Sequence, residues 1–272
     1  MSAVRRRSYW DHVSYRTAVA KEQEADARIL NAIICAHRDT FERTSDKLTS
    51  SLDPGVESQD QRSSPSFLEV LNAGRLVHMC GSTAFNKISL DPGVESENQR
   101  FGPSFNGVVD FYKSIPKGPF PLNRDDEVIL LRAGVFEVLL IRLASSFDSR
   151  TNTMMSFTGQ RMKWNQVCGC PDTRLRIDAM FSFAEKMQKM KLTDAEIALF
   201  SAIVLFTPDR SGLFAIGIIE RIHNKLCCVL QAFMAKTRQD YQFVYSELLT
   251  LVQDLKILNT LFKETTGSFQ IN

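Results

Sequence analysis

The residues best suited to metal binding or nucleophilic chemistry are six cysteines and four histidines. A structural zinc site needs a closely spaced ligand pair and a second pair elsewhere in the chain. Cys168 and Cys170 come nearest to that spacing but have no matching pair, and the adjacent Cys227 and Cys228 point to different faces of a helix. The histidines lie in no nucleophile motif, and no glycine-rich phosphate loop is present. The pattern favours free thiols over a metal site and does not support an enzyme.

Composition and charge limit the classes of protein that remain. The 272 residues are 44% hydrophobic and 24% charged, which is ordinary for a globular chain with one large core or two small ones. A formal net charge of +2 gives no electrostatic reason to expect direct DNA binding. Residues 5–7 are consecutive arginines, too few for a targeting signal, and we interpret residues 1–19 as a solvated tail. No apolar stretch at the N-terminus resembles a signal peptide, so secretion is not expected.

The elements that would position any site begin with a helix, predicted at residues 20–46 from its apolar spacing. Residues 47–100 are rich in Ser, Asp, Pro, Gly and Gln and are expected to form a long flexible loop. The segment SLDPGVES occurs there twice, at residues 51–58 and 89–96. Two copies are too few for a solenoid, so we interpret them as a local duplication. The folded domain is expected to span residues 20–272.

The helix predicted after Asn123 is apolar on almost every side over residues 127–143. Arg132, Glu137 and Arg142 interrupt this run, which is also short for a bilayer, so a membrane span is not expected. A helix that is hydrophobic all round must be covered on both faces. The sequence therefore predicts an all-α fold, a three-layer antiparallel helical sandwich, with a small β-hairpin near residues 154–159.

Thr193 and Glu196 form a capping box that predicts the start of another helix. The last helix of the chain has an apolar seam, in which apolar residues follow one another in alternating steps of three and four residues. The seam contains Tyr241, Val244, Leu248, Leu251, Leu255, Leu258 and Phe262, with Leu249 and Val252 as a second apolar edge. Such a seam packs either into the domain's own core or against a partner. Under the second alternative, Leu248, Leu251, Leu255 and Leu258 form a dimerisation surface.

Several longer motifs resemble those of nuclear-receptor ligand-binding domains. They are FYKSIP at residues 111–116, DDEVILLRAGVFEVLLIRLA at 125–144, LTDAEIALF at 192–200 and PDRSGL at 208–213. The continuation VFEVLLIRLA at residues 135–144 and the last two motifs are most similar to the Rev-erb subfamily and its ecdysone-induced insect relatives. The resemblance is strong over residues 104–215 and weaker near residues 36–40 and 254–259. It implies a helical sandwich and a nuclear regulator of transcription.

The resemblance also implies a surface groove for helical coregulator peptides. A lysine at the end of one helix and a basic residue on the next flank this groove in the family, and they correspond to Lys113 and Arg132, with Val109 and Val128 beside them. Cations at such a trough can hold the terminal carbonyls of a docked helix. The alternative is that both are merely solvated, which is less natural for Arg132 in an apolar helix. Residues 264–272 lack the pattern of the family's final activation helix, so we expect corepressor peptides as the partners.

Haem is the cofactor that the resemblance implies, held by a cysteine ahead of the third helix and a histidine near the end of the last. His78 and Cys80 lie at the first position and Phe262 at the second. A phenyl ring cannot ligate iron, so the sequence argues against six-coordinate haem and leaves His78 or Cys80 as the sole protein ligand.

Two functions follow from the sequence. The first is a repressor module that docks corepressors and dimerises with itself or with another nuclear receptor. Without zinc modules in its sequence, it would act through a DNA-bound partner or compete with full-length relatives. The alternative is a sensor of haem or another small ligand.

Overall fold

The computed structural model describes residues 3–50, 103–119, 121–155, 161–163 and 171–268. Seven helices and two short strands occur in these ranges. In chain order they are α1 (Ala3–Ser50), α2 (Pro103–Ser114), α3 (Arg124–Ser145), β1 (Thr153–Met155), β2 (Arg161–Lys163), α4 (Pro171–Lys189), α5 (Asp194–Leu205), α6 (Ile216–Thr237) and α7 (Tyr241–Ser268).

Two of these helices begin where a side chain satisfies backbone amides. The Asn123 side chain accepts a hydrogen bond from the Asp126 amide at 2.7 Å, ahead of α3. Thr193 accepts from the Glu196 amide at 3.3 Å, and Glu196 accepts in return from the Thr193 amide at 2.7 Å, ahead of α5. Free amides at a helix start need such partners. Both predicted starts are confirmed.

Helix α3 lies at the centre of the molecule, as its all-round apolar pattern predicts. It contacts α2 on one side and α4 and α7 on the other, with α5 beside it. The layers are therefore α1 with α2, then α3 with α5 and α6, then α4 with α7. Gly134 allows α5 to approach closely, because a Cβ there would lie 3.3 Å from the Leu205 Cα. The all-α sandwich prediction is confirmed.

Helix α1 is longer than the sequence analysis predicted. We expected a tail over residues 1–19 and a helix over residues 20–46, but one helix spans Ala3–Ser50. No proline or glycine lies between those residues, and extending an existing helix adds one hydrogen bond for each residue fixed. Ile33 and Ala36 bury one face of this helix in the core. Residues 47–50 of the predicted 47–100 loop are therefore helical, and that part of the prediction is wrong. The rest of the loop and its duplication, residues 51–100, lie outside the described residues.

Strands β1 and β2 pair in antiparallel register, with Met154 opposite Met162. This is the small hairpin that the sequence predicts near residues 154–159. Helix α7 also extends beyond expectation, continuing through Gly267 to Ser268. One glycine costs an established helix only about 1 kcal/mol, which is too little to end it.

The apolar seam of α7 faces inward. Leu248, Leu251, Leu255 and Leu258 are 0 to 2% exposed and belong to the core of the chain itself. Their assignment to a dimerisation surface is therefore corrected: they pack beneath α3, α4 and α6. The large apolar side chains that α7 exposes are Phe243, Leu249 and Ile257, at 66%, 49% and 59%.

Candidate functional site

The groove predicted from the sequence involves two helices that contact each other. Val109 and Lys113 lie four residues apart on α2, and Val128 and Arg132 lie four residues apart on α3, so each pair shares a helix face. Lys113 and Arg132 are partly exposed, whereas Val109 is fully buried and Val128 nearly so. The structure therefore leaves both cations partly exposed and places Val109 beneath the surface.

A cluster that sequence reasoning missed fixes the end of α2 against the start of α3. The Lys117 ammonium donates to Glu127 at 2.9 Å and lies 4.2 Å from the centre of the Tyr112 ring. The Tyr112 hydroxyl donates to the same carboxylate at 3.3 Å. Burial, reinforced by Glu127, raises the pKa of Tyr112 far above its usual value, so the hydroxyl remains a donor. Because Lys113 directly follows Tyr112, this cluster positions it relative to α3.

Asp126 holds a second segment against the start of α3. It is fully buried and accepts hydrogen bonds from the amides of Phe214 and Ala215 at 2.7 and 2.9 Å. The Asn123 amide group donates to it as well, at 2.8 Å. A buried carboxylate needs such donors, and here they anchor the segment that leads into α6. The acidic start of the DDEVILLRAG motif thus has a structural role.

Glu137 organises the centre of the domain. Only 2% of its side chain is exposed, and it forms a two-pronged ion pair with Arg210, from the segment between α5 and α6. The Asn259 side chain on α7 donates to Glu137 at 3.0 Å and to the Ala133 carbonyl at 3.2 Å. One carboxylate thus joins α3, the 206–215 segment and α7. A charge inside an apolar helix was the sequence signal for this network, since such charges are almost always paired.

Arg142 joins α3 to α1. Its guanidinium is almost fully buried and donates to the Thr40 hydroxyl at 2.8 Å. It lies 5.9 and 5.8 Å from the rings of Phe41 and Phe111, and His37 stacks on Phe41. Burial and the Arg142 cation lower the pKa of His37 from 6.5 to about 4, so the imidazole is neutral at physiological pH. Docking of α1 therefore depends on a neutral histidine beside a buried cation.

His37 is expected to make the fold sensitive to acid. The unfolded chain binds a proton near pH 6.5 and the folded chain only near pH 4, so stability is lost as the pH falls between these values. The loss between pH 7 and pH 5 is about 2 kcal/mol from His37 alone. Urea unfolding across this range measures it.

The control is His37→Phe, which keeps a ring against Phe41 and removes the titration. Burial lowers the pKa of His223 as well, so some pH dependence is expected to persist in this variant. Equal pH dependence in the parent and His37→Phe proteins would refute the assignment to His37.

The positions assigned to haem are only partly described. His78 and Cys80 lie outside the described residues. Phe262 is buried, with its ring centre 5.0 Å from that of Phe136. A phenyl ring provides no atom to iron, so Phe262 cannot serve as the second axial ligand that the resemblance implies. Among them, no group of three or more histidine, cysteine or acidic side chains is arranged to hold a metal ion.

Comparison with known proteins identifies the family to which this architecture belongs. The profile of the ligand-binding domain of nuclear hormone receptor matches residues 99–271. The chain therefore belongs to the nuclear hormone receptor family, whose members regulate transcription and are not enzymes. None of the described helices is long and apolar enough to cross a membrane.

The relatives lie in the E75/Rev-erb branch of the family, as the motifs indicated. The chain is 38% identical to "Nuclear hormone receptor E75" of Metapenaeus ensis, over 92% of this chain and 40% of the relative. It is 37% identical to "Ecdysone-induced protein 75B, isoforms C/D" of Drosophila melanogaster, over 93% and 20%. Identity to "Nuclear receptor subfamily 1 group D member 2" of Rattus norvegicus is 34%, over 61% and 28%. The chain thus spans less than half the length of these relatives.

Proposed function

We propose that this ligand-binding domain represses transcription in the nucleus by docking the amphipathic helix of a corepressor between Lys113 and Arg132. The observation that carries the proposal is that Lys113 is accessible and forms no ion pair with another described residue. Lys113 lies in the last turn of α2 and is partly exposed. Its ammonium therefore retains donors for the carbonyls at the end of a docked helix.

The neighbouring contacts support this role. Lys117, which follows α2, forms an ion pair with Glu127. Lys113, in the last turn of α2, has no carboxylate partner among the described residues. Arg132 lies one turn beyond Val128 on the adjoining helix. A peptide helix between the two cations would bury its apolar face against α2 and α3.

Charge reversal tests the groove. The double variant Lys113→Glu, Arg132→Glu is expected to bind a fluorescein-labelled corepressor helix at least tenfold more weakly, about 1.4 kcal/mol, in fluorescence polarisation. A coactivator helix is expected not to bind the parent chain. The matched control is Lys236→Glu, which reverses a lysine in the last turn of α6 and should leave affinity unchanged. Equal affinity of the parent and double variant would refute the groove.

A second proposed function is dimerisation, through the outer face of α7 instead of its seam. Phe243, Leu249 and Ile257 are large apolar side chains that are about half exposed or more, and Val252 is partly exposed beside them. A second receptor chain or a second copy of this one would cover this surface.

Self-association is expected to weaken in the double variant Leu249→Glu, Ile257→Glu, because each glutamate places a charge on the proposed contact. Light scattering across a concentration series measures the change, and circular dichroism confirms that the fold persists. A parent chain that dimerises and a double variant that dimerises equally well would exclude this face.

A further inference from the structure

Lys117 lies on a short turn between α2 and α3. The Ile115 amide donates to the Tyr112 carbonyl at 3.3 Å, so the chain continues to turn after α2 ends. Gly118 follows with a φ of +80°, the value at the third position of a type II turn, where most side chains would be strained. The Lys117 side chain lies over the Tyr112 ring, with its ammonium 4.2 Å from the ring centre.

The Glu127 carboxylate is fixed between these two side chains. It accepts from the Lys117 ammonium at 2.9 Å and from the Tyr112 hydroxyl at 3.3 Å. The fully buried Tyr112 ring stacks on Phe206, with the ring centres 5.3 Å apart, and this holds the hydroxyl in place. Only 21% of the Lys117 side chain and 18% of the Glu127 side chain are exposed, so salt screens this ion pair weakly. Lys117 therefore neutralises Glu127.

Two other cations lie close to Glu127 along the chain. Lys113 directly follows Tyr112 on α2, and the Tyr112 hydroxyl already bonds the carboxylate. Arg124 lies three residues before Glu127 on α3, which is the spacing of neighbouring side chains on a helix. A carboxylate that is mostly buried needs a donor or a cation as its partner. Without Lys117, Glu127 would therefore pair with Lys113 or with Arg124.

We propose that Lys117 is a positioning residue that keeps Lys113 available to a corepressor helix, by occupying the carboxylate with which Lys113 would otherwise pair. This inference rests on the proposed function of the groove between Lys113 and Arg132. An ammonium that already donates to a carboxylate binds helix carbonyls more weakly, because hydrogen bonds to a charged acceptor are the stronger ones. Lys117 acts through Glu127 and needs no contact with the docked helix.

Fluorescence polarisation with the labelled corepressor helix tests this role. Lys117→Met is expected to bind at least about fivefold more weakly, the effect of about one hydrogen bond. Lys117→Arg keeps the ion pair, and the double variant Lys117→Met, Glu127→Gln removes both charges, so each should bind within about twofold of the parent. The matched control is Lys225→Met, which breaks the ion pairs of another lysine with Glu22 and Asp26 and should also change affinity less than about twofold.

The ¹⁵Nζ resonance of Lys113 in lysine-labelled protein tests the pairing without a peptide, and Lys113→Arg assigns it. Its shift is expected to change in Lys117→Met and to return towards the parental value when Glu127→Gln is added. An unchanged resonance, as when Glu127 pairs with Arg124 instead, would overturn the proposal. Equal peptide affinity of the parent and Lys117→Met proteins, or a double variant that binds as weakly as Lys117→Met, would overturn it as well.

The two readouts separate this inference from the function on which it rests. A parent chain that binds no corepressor helix would exclude the proposed function of the groove. The Lys113 resonance would still decide whether Lys117 keeps Glu127 from pairing with Lys113.

Discussion

Leu251→Glu is expected to unfold the domain. Leu251 has no exposed surface and lies between Leu248 and Leu255 on the buried face of α7. Removing a buried leucine side chain alone costs about 2–5 kcal/mol, and burying a carboxylate without a partner adds several more. Since domains of this kind are stable by only about 5–15 kcal/mol, most of the folded population should be lost. Circular dichroism during guanidinium titration measures the change.

The matched control lies two positions earlier on the same helix. Leu249 is 49% exposed, so Leu249→Glu should change the free energy of unfolding by less than about 1 kcal/mol. The pair also separates two causes of lost association, because Leu251→Glu would abolish a dimer by unfolding its subunits. A Leu251→Glu protein with parental stability would contradict the inward orientation of the seam.

Glu137→Leu is expected to destabilise the domain by about 3–5 kcal/mol. The change leaves Arg210, whose side chain is only 11% exposed, as a largely buried cation without its carboxylate. Asn259 loses an acceptor at the same time, which weakens the contact between α7 and α3. Urea unfolding midpoints of the parent and variant proteins measure the loss.

Two comparisons assign that loss to the buried pair. The double variant Glu137→Leu, Arg210→Leu is expected to recover much of the stability, because it removes the uncompensated charge. Asp209→Ala breaks the more exposed ion pair with Lys256 and should cost less than about 1 kcal/mol. If Glu137→Leu lowers the free energy of unfolding no more than Asp209→Ala does, the buried contacts of Glu137 do not stabilise the domain.

Most of the fold could be predicted from local patterns. The caps at Asn123 and Thr193, the buried length of α3 and the apolar seam of α7 each follow from chemistry within one or two helix turns. The ends of α1 could not be predicted from composition, because an arginine run and a serine-rich segment are compatible with either a tail or a continuing helix.

The candidate groove was predicted only through its family resemblance. Spacing predicts that Val109 and Lys113 share one helix face and that Val128 and Arg132 share another. It does not predict which of these four side chains is exposed to solvent. Burial depends on what packs above a residue, and that depends on contacts between elements distant in sequence. For the same reason Tyr112, Lys117 and Glu127 did not emerge as a cluster before the fold was known.

The six cysteines and four histidines of the chain lie in no metal or nucleophile motif. Composition and residue type alone argued against an enzyme, and periodicity determined an all-helical sandwich with α3 at its centre. Only the tertiary structure decided that the seam of α7 packs into the domain's own core, because a three- and four-residue repeat is identical for a core and for a coiled-coil partner. The tertiary structure also showed that Glu137 and Arg142 are buried and join helices to one another. The linear sequence does not identify the partners of a buried charge.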